Sequence, residues 1–480
     1  MAMSRQAIAD RAARGARRHV LFLGLLAVGA LLRVATQLAY VPALFFFDSF
    51  NFLRLTDTLD PTENKALGYV VVLRLLLVAH NLAIIPLLHH VLGLVMGVAL
   101  YLLCLRLGVR RSLAALSAAP VLLDGYQLVI EQYILSDVVF QALLVAVLVV
   151  LLWRTPGLAS AALAGLLLGA AATVRFVGVP LLAPVVLYLV LAVAGRWRVR
   201  LLTAALAAVT FVVLLGGYAL WFHHQTGEWG LQGNTGRNLY ARAATIADCP
   251  TLEGLPAFQR VLCPTAPRGQ RPGVNDYLWG DASQVGRLKP PSGTTKGEAA
   301  GAFALQVFRQ QPLDLVGEIA RDFAFGFSWP RERGLLNPPL ERWEFQPAYD
   351  FREEAGPRRD PVRTVDQYGG AGPYAREALT RPLRAYQQGG GYTPGPVLLG
   401  ALVVAVLGAL GVGRARRSHL RPACLLSVGL GAGALLSAAT LLFSWRYQLP
   451  GLVLLPFAGA LGVTALTCRP EEVDGPLSGG

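Results

Sequence analysis

Asp48 lies in the run Phe45-Phe46-Phe47-Asp48-Ser49-Phe50, a carboxylate among aromatic rings where an apolar stretch ends. A carboxyl group in apolar surroundings has its pKa raised, which suits it to take a proton from a hydroxyl as general base. The other reading is structural: an aspartate there caps the helix predicted over 49–59 by accepting from amides that lack an intrahelical partner. Arg175, in Thr173-Val174-Arg175-Phe176, and Arg446, in Trp445-Arg446-Tyr447, also stand where apolar runs end. A guanidinium grips phosphate or carboxylate through two N–H groups at once. Phosphate binding by Arg175, Arg446 and Tyr447, and ion pairing of the two arginines with Glu131 or Asp137, both remain open on the residues alone.

Asp124, Glu131 and Asp137 crowd one short stretch with no base among them, for which a hydrated cavity or a divalent cation is the natural explanation. Arg33 interrupts the first apolar run, where a charged group must be paired, snorkel to the surface or face the bundle interior. His89 and His90, with His80, His223 and His224, are groups for polar recognition or proton transfer. No His-Glu-x-x-His or other dense ligand spacing marks a resident metal. Cys249 and Cys263 stand 14 positions apart with no histidine at ligand spacing, and a disulfide is expected between them.

These groups must be positioned by a chain of 480 residues that is 54% hydrophobic and only 15% charged. That balance falls well short of the charge a soluble protein carries and reads as an all-α polytopic membrane protein. Windows of about 20 residues give about ten candidate spans, near 20–42, 85–105, 112–130, 138–153, 158–174, 177–194, 201–222, 396–413, 422–442 and 448–467. The first follows Arg11, Arg14, Arg17 and Arg18 but lacks a small-residue cleavage site, so it reads as a retained helix and not a removed signal.

Arginines then recur in alternate loops: Arg106, Arg110 and Arg111; Arg154; Arg196, Arg198 and Arg200; Arg414, Arg416, Arg417 and Arg421; Arg469. With the N-terminus, those loops hold 17 basic and four acidic residues, whereas segment 223–395 holds 20 basic and 18 acidic. Nearly all of the net +14 is therefore a positive-inside signal that places both termini in the cytoplasm. It is not the footprint of a nucleic-acid partner, for which no basic arm, zinc cluster or aromatic-basic stripe is present.

The implied organisation is a basic N-terminus (1–19), seven helices (20–222) with a first outer loop (43–84), an extracytoplasmic segment of mixed helix and loop (223–395), three further helices (396–468) and a cytoplasmic tail (469–480). Within 223–395, one amphipathic helix is expected from Gly301 to Phe325, able to lie on the membrane face. The stretch 346–394, with Gly369-Gly370 and Gly389-Gly390-Gly391, reads as loop. A folded segment outside the bilayer favours a protein that handles a substrate there.

The order and placement of several short motifs resemble the GT-C glycosyltransferases that use a lipid carrier, the group of protein O-mannosyltransferases and aminoarabinose transferases. The matching stretches are Leu32-Arg33 with Phe47-Asp48-Ser49; Leu67-Gly68-Tyr69-Val70, like the family's Gly-Tyr-Pro; and His89-His90-Val91-Leu92-Gly93. They continue with Leu123-Asp124-Gly125-Tyr126 through Glu131 to Leu135-Ser136-Asp137; Gly165-Leu166-Leu167-Leu168-Gly169 through Arg175; and Arg446-Tyr447-Gln448-Leu449-Pro450. The likeness is good over about 20–200, moderate in the last helix and loose over 223–395.

The resemblance implies transfer of a sugar from a polyprenyl-phosphate donor to a glycan, lipid or protein acceptor at the extracytoplasmic face, with inversion. It makes Asp48 the general base. Arg175, Arg446 and Tyr447 fall to the donor phosphate, and Glu131, Asp137, Arg33, His89 and His90 to positioning donor or acceptor. No cofactor is required, with a divalent cation the one candidate. Two departures stand out: Ser49 replaces a second acid, leaving one carboxylate, and Val70 replaces the motif's proline. A transporter or flippase of lipid-linked sugars is the alternative, though it would more often show inverted repeats and would not need a large outer segment. A non-catalytic scaffold would leave the charges at the outer mouth as an unexplained cost.

Overall fold

The computed structural model describes residues 17–60, 65–332, 339–351 and 360–467. Arg11, Arg14, Cys468, Arg469 and the tail predicted beyond them lie outside the described residues. Helices dominate: α1 Val20–Ala39, α2 Phe47–Thr58, α3 Gly68–Leu76, α4 Ile84–Arg106, α5 Arg111–Leu123, α6 Gly125–Gln132, α7 Asp137–Leu152, α8 Leu158–Val174, α9 Leu182–Ala192 and α10 Trp197–Thr226. After them come α11 Thr235–Ile246, α12 Val274–Trp279, α13 Lys296–Gln310, α14 Pro312–Phe325, α15 Pro361–Tyr368, α16 Glu377–Gln388, α17 Gly395–Leu410, α18 Arg421–Ala439 and α19 Leu449–Thr467.

Eight of the predicted spans each overlap one apolar helix, while that near 112–130 is divided into α5 and α6 and that near 177–194 into a 3-10 turn, Phe176–Leu181, and α9. Among the described residues, five are long and apolar enough to cross a membrane, or six if α5 and α6, bent by 45°, count as one. Helices α7, α8 and α17 and the stretch Phe176–Ala192 are apolar but shorter; at ~1.5 Å per residue they fall below the ~30 Å of a bilayer core. The exposed surface carries the membrane signature. Val28, Leu31 and Val34 of α1 and Val209, Val212 and Val213 of α10 point outward, while Arg33 is buried. This inverts the pattern of a soluble bundle and makes the chain a multi-pass membrane protein.

Small residues let these helices approach closely. Gly165 of α8 faces α10 so tightly that a Cβ there would run into the Ala207 carbonyl and the Thr210 hydroxyl, whereas a Cβ on Gly24 of α1 meets nothing within 4 Å.

The segment after α10 forms a second, smaller core. Tyr240 and Ala244 of α11 pack on Phe303, Ala300 and Val307 of α13, and Cys249 is joined to Cys263 by a disulfide. Arg242 of α11 ties this core to the membrane helices, donating to the Ala439 and Thr440 carbonyls at the end of α18 and pairing with Asp322 of α14. The single helix expected over Gly301–Phe325 is broken at Gln311, because Pro312 cannot continue a helix and pushes the residue before it out of the helical region. Its two parts then differ: Phe303 is buried, whereas Leu313 and Val316 are exposed.

The stretch expected to be loop over 346–394 holds α15 and α16. The glycine runs end these helices instead of marking an irregular region. Gly369, Gly370 and Gly390 adopt φ of 86°, 125° and 105°, which residues with a Cβ rarely tolerate. This region folds back on the end of α1 through a two-stranded antiparallel pair, Tyr40 opposite Ala375 and Val41 opposite Tyr374.

Gly165→Ala is expected to lower stability by about 1–3 kcal/mol through overpacking against α10, while Gly24→Ala is near neutral. Melting temperatures in detergent compare the two.

Candidate active site

Arg446 sits in the tight turn Trp445–Gln448 that joins α18 to α19, and it is 5% exposed. Its Nε and Nη2 donate to Asp137 Oδ2 at 2.8 and 2.6 Å, and its Nη1 donates to Asp48 Oδ2 at 3.3 Å. Asp137 opens α7 and Asp48 lies in the first turn of α2, so both carboxylates stand where a helix dipole favours negative charge. Arg175 follows α8 in extended conformation and pairs with the other oxygen of Asp137. Lys65 donates to Asp48 Oδ1 at 2.5 Å.

Aromatic rings surround these groups. The Arg446 guanidinium lies 5.7 Å from the Trp343 ring, 5.9 Å from Tyr447 and 6.0 Å from Phe46, and Arg175 lies 5.0 Å from Tyr447. Five charges from five elements thus form one chain, Lys65–Asp48–Arg446–Asp137–Arg175. Three cations against two carboxylates leave an excess positive charge, and Lys65, Asp48 and Arg175 keep partial exposure while Asp137 is sealed.

Two expectations for Asp48 need correction. The helix-capping role belongs to its neighbours: Phe46 is the cap residue, and the buried Ser49 hydroxyl accepts from the Phe46 amide at 2.9 Å. Nor is the Asp48 pKa raised. Burial alone pushes it up, but the Lys65 ammonium and the Arg446 guanidinium outweigh burial and hold it at about 2.

Glu131 joins a different network. Arg33 donates to Glu131 Oε1 at 2.8 Å, and His90 Nδ1 meets Oε2 at 2.9 Å. Arg33 also donates to the Val121 and Leu122 carbonyls, at 2.8 and 2.7 Å, which the end of α5 leaves without helical partners. His89 Nδ1 donates to the Glu131 carbonyl at 3.1 Å, and its Nε2 lies 3.3 Å from the Tyr69 hydroxyl. Arg33, His89, His90 and Glu131 are all buried. Among the described residues no hydrogen bond or ion pair connects Glu131 to Asp48, Arg175 or Arg446. The arginines therefore choose Asp137, not Glu131, as their carboxylate.

Asp124 takes a third place, at the bend between α5 and α6. It accepts from the Tyr126 and Gln127 amides as helix cap and from the Thr393 amide at 2.6 Å. The three acids that stand without a base in sequence each meet one in space: Arg331 at 3.9 Å for Asp124, Arg33 for Glu131, and Arg175 with Arg446 for Asp137. Their oxygens are spent on these cations and amides, and among the described residues no group of three or more His, Cys, Asp or Glu side chains could hold a metal ion. The donor set does not fit a divalent cation. The remaining histidines stand apart from this chain: His80 is exposed, and His223 stacks on Trp229 at 4.0 Å.

Lys65, Phe46 and Trp343 were not singled out from the sequence. Lys65 had a signal, as the one lysine between residues 43 and 84. Trp343 had none, since it comes from a distant segment.

Comparison with known proteins follows the same line. Residues 78–228 match the family model described as dolichyl-phosphate-mannose-protein mannosyltransferase. The match shows the likeness to GT-C glycosyltransferases read from the motifs. It covers His89, His90, Glu131, Asp137 and Arg175, with Arg33, Asp48 and Arg446 outside it. A search of curated proteins found no match.

Among solved structures, the chain aligns over 92% of its length with the archaeal oligosaccharyltransferase AglB from Archaeoglobus fulgidus, in complex with an inhibitory peptide and a dolichol-phosphate, at 13% identity and a TM-score of 0.43. It covers 50% of that protein, so it spans half its length. ArnT from Cupriavidus metallidurans, bound to undecaprenyl phosphate, aligns over 92% of this chain and 78% of its own at 14% identity and a TM-score of 0.35.

Glu131→Gln strips Arg33 of its charge partner in a buried setting and is expected to destabilise the fold by about 3–5 kcal/mol, read as a lowered melting temperature in detergent. The Asp48 pairs behave differently with pH. A carboxyl whose folded pKa of about 2 lies below its unfolded value adds stability above the unfolded pKa and loses it as the pH falls through the folded one. The melting-temperature gap between wild type and Asp48→Asn is therefore expected to hold steady down to about pH 4 and then to shrink.

Proposed function

We propose that this chain is an integral membrane glycosyltransferase that moves a sugar from a polyprenyl-phosphate donor to an acceptor hydroxyl, with inversion at the anomeric carbon. The single observation behind this reading is the chain Lys65–Asp48–Arg446–Asp137–Arg175, a base candidate and a cluster of excess positive charge at the ends of membrane helices. The family match over residues 78–228 supports it.

The chemistry follows from the charges. A polyprenyl phosphate keeps its tail in the bilayer and brings its phosphate to the interface, where Lys65, Arg175 and Arg446 compete for it. In drawing those cations, the phosphate takes from Asp48 the partners that depress its basicity. Asp48 then accepts the acceptor's hydroxyl proton as that oxygen bonds to the anomeric carbon. The bond from that carbon to the phosphate oxygen breaks on the opposite side, and the departing phosphate keeps the electron pair, stabilised by the arginines.

Asp137 holds Arg446 and Arg175 at this place, with the Tyr447 ring beside both. Arg33, Glu131, His89 and His90 fix the helices that carry the site. Topology supports an extracytoplasmic reaction: Asp137 begins α7 and Arg175 ends α8, at the ends away from Arg154, so the site lies opposite the arginine-rich loops. The same pattern supports ten crossings with both termini cytoplasmic, the shorter helices included.

The test is incubation of purified, reconstituted protein with a panel of polyprenyl-phosphate sugars, reading transfer or donor hydrolysis. Asp48→Asn is expected to lower turnover by about 100- to 10,000-fold while leaving the protein inserted and folded, and retained turnover would sink the assignment. Arg175→Ala and Arg446→Ala are expected to raise the donor KM; an unchanged value in both moves the arginines to a structural role.

A further inference from the structure

After α14 the chain runs along the Trp445–Gln448 turn as a strap, residues 326–332. The Trp445 indole donates to the Glu332 carbonyl at 3.0 Å, the Gln448 amide donates to the Gly326 carbonyl, and Arg331 Nη2 donates to Gln448 Oε1 at 2.7 Å. The turn is thereby held at its first and last residues, and Arg446 lies between them. Arg331 comes from the outer segment, yet its side chain is 2% exposed.

Its guanidinium lies 4.0 Å from the Tyr126 ring, 5.3 Å from Tyr392 and 5.4 Å from Trp445. Nε and Nη1 are buried without a hydrogen-bond partner. Such burial is costly, and the three ring faces with the Asp124 carboxylate at 3.9 Å offset part of that cost. A plain packing role would not need a cation here. What the cation does is join three pieces of backbone: the start of α6 through Tyr126, the run before α17 through Tyr392, and the Arg446 turn through Trp445 and Gln448.

We infer that Arg331 is a positioning residue for Arg446, fixing the turn so that the Arg446 guanidinium stays shared between Asp137 and Asp48 until a phosphate claims it. The inference rests on the transfer reading given above, and it assigns to the outer segment a part in aligning the donor-phosphate site. Lysine cannot replace Arg331, because an ammonium lacks both the flat face for three rings and the fork that reaches Gln448.

A double-mutant cycle tests this. Arg331→Gln is expected to lower kcat by about 10- to 100-fold in the wild-type background. It is expected to change kcat less than about twofold in the Arg446→Lys background, where the geometry it protects is already lost. Equal losses in both backgrounds, or no loss in either, would overturn the inference. Trp445→Phe removes one strap bond and keeps a ring, and it serves as the second variant should Arg331→Gln not fold; a smaller loss of the same non-additive kind is expected from it.

A readout independent of turnover separates this claim from the transfer reading. Phenylglyoxal labelling of Arg446, carried out well below the melting transition of each protein and quantified by peptide mass spectrometry, is expected to rise severalfold in Arg331→Gln protein. Unchanged labelling would refute the positioning role even if transfer is found. Raised labelling with no transfer from any donor would uphold the positioning and refute the activity.

Discussion

One guanidinium, that of Arg446, must be buried at the end of a membrane helix and still be neutralised. An unpaired charge in such a place costs several kcal/mol, so the fold has to bring carboxylates to it. Asp137 arrives from α7 and Asp48 from α2, and Arg446 binds both. Each carboxylate then has an oxygen to spare, taken by Arg175 and Lys65. The result is a row of alternating charges in which no group can leave without exposing another.

The rest of the molecule serves this row in two ways. Inside the bundle, Glu131 draws Arg33 and His90 together, and Arg33 satisfies the carbonyls left open where α5 stops short of the Asp124 bend. That network is sealed from solvent and locks α1, α4, α5 and α6, the frame on which α7 rests. Outside the bundle, segment 223–395 is fastened to the helices by buried arginines: Arg242 to the end of α18, and Arg331 to the turn that carries Arg446. This segment is therefore bonded to the turn that bears Arg446.

Much of the helical frame was legible in the sequence. Long apolar runs force helices because backbone groups in lipid must be satisfied locally, and the spans near 158–174 and 396–413 fall close to α8 and α17. Breaks were harder to see. The span near 112–130 runs through Asp124 without a loss of hydrophobicity, yet Asp124 caps a new helix there and the axis bends by 45°. The glycine runs near 369 and 389 look alike whether they end helices or fill a loop, so α15 and α16 were missed.

The site shows the same division. The sequence by itself determined which residues are costly: Asp48, Glu131, Asp137, Arg33, Arg175 and Arg446 are conspicuous because charge is scarce in an apolar chain, and that scarcity is a property of composition. It also determined that such groups need partners. Which partner each takes was decided only by the tertiary structure, since Asp137 and Arg446 are 309 positions apart and Glu131 and Asp137 look equivalent along the chain. The two acids stand six positions apart, but the break after α6 turns Glu131 toward Arg33 and leaves Asp137 to open α7 beside Arg446. The Asp48 pKa follows the same rule. Its aromatic neighbours in sequence suggest a raised value, and the two cations that fold against it hold it at about 2, because through-space charge outweighs burial at hydrogen-bonding distance.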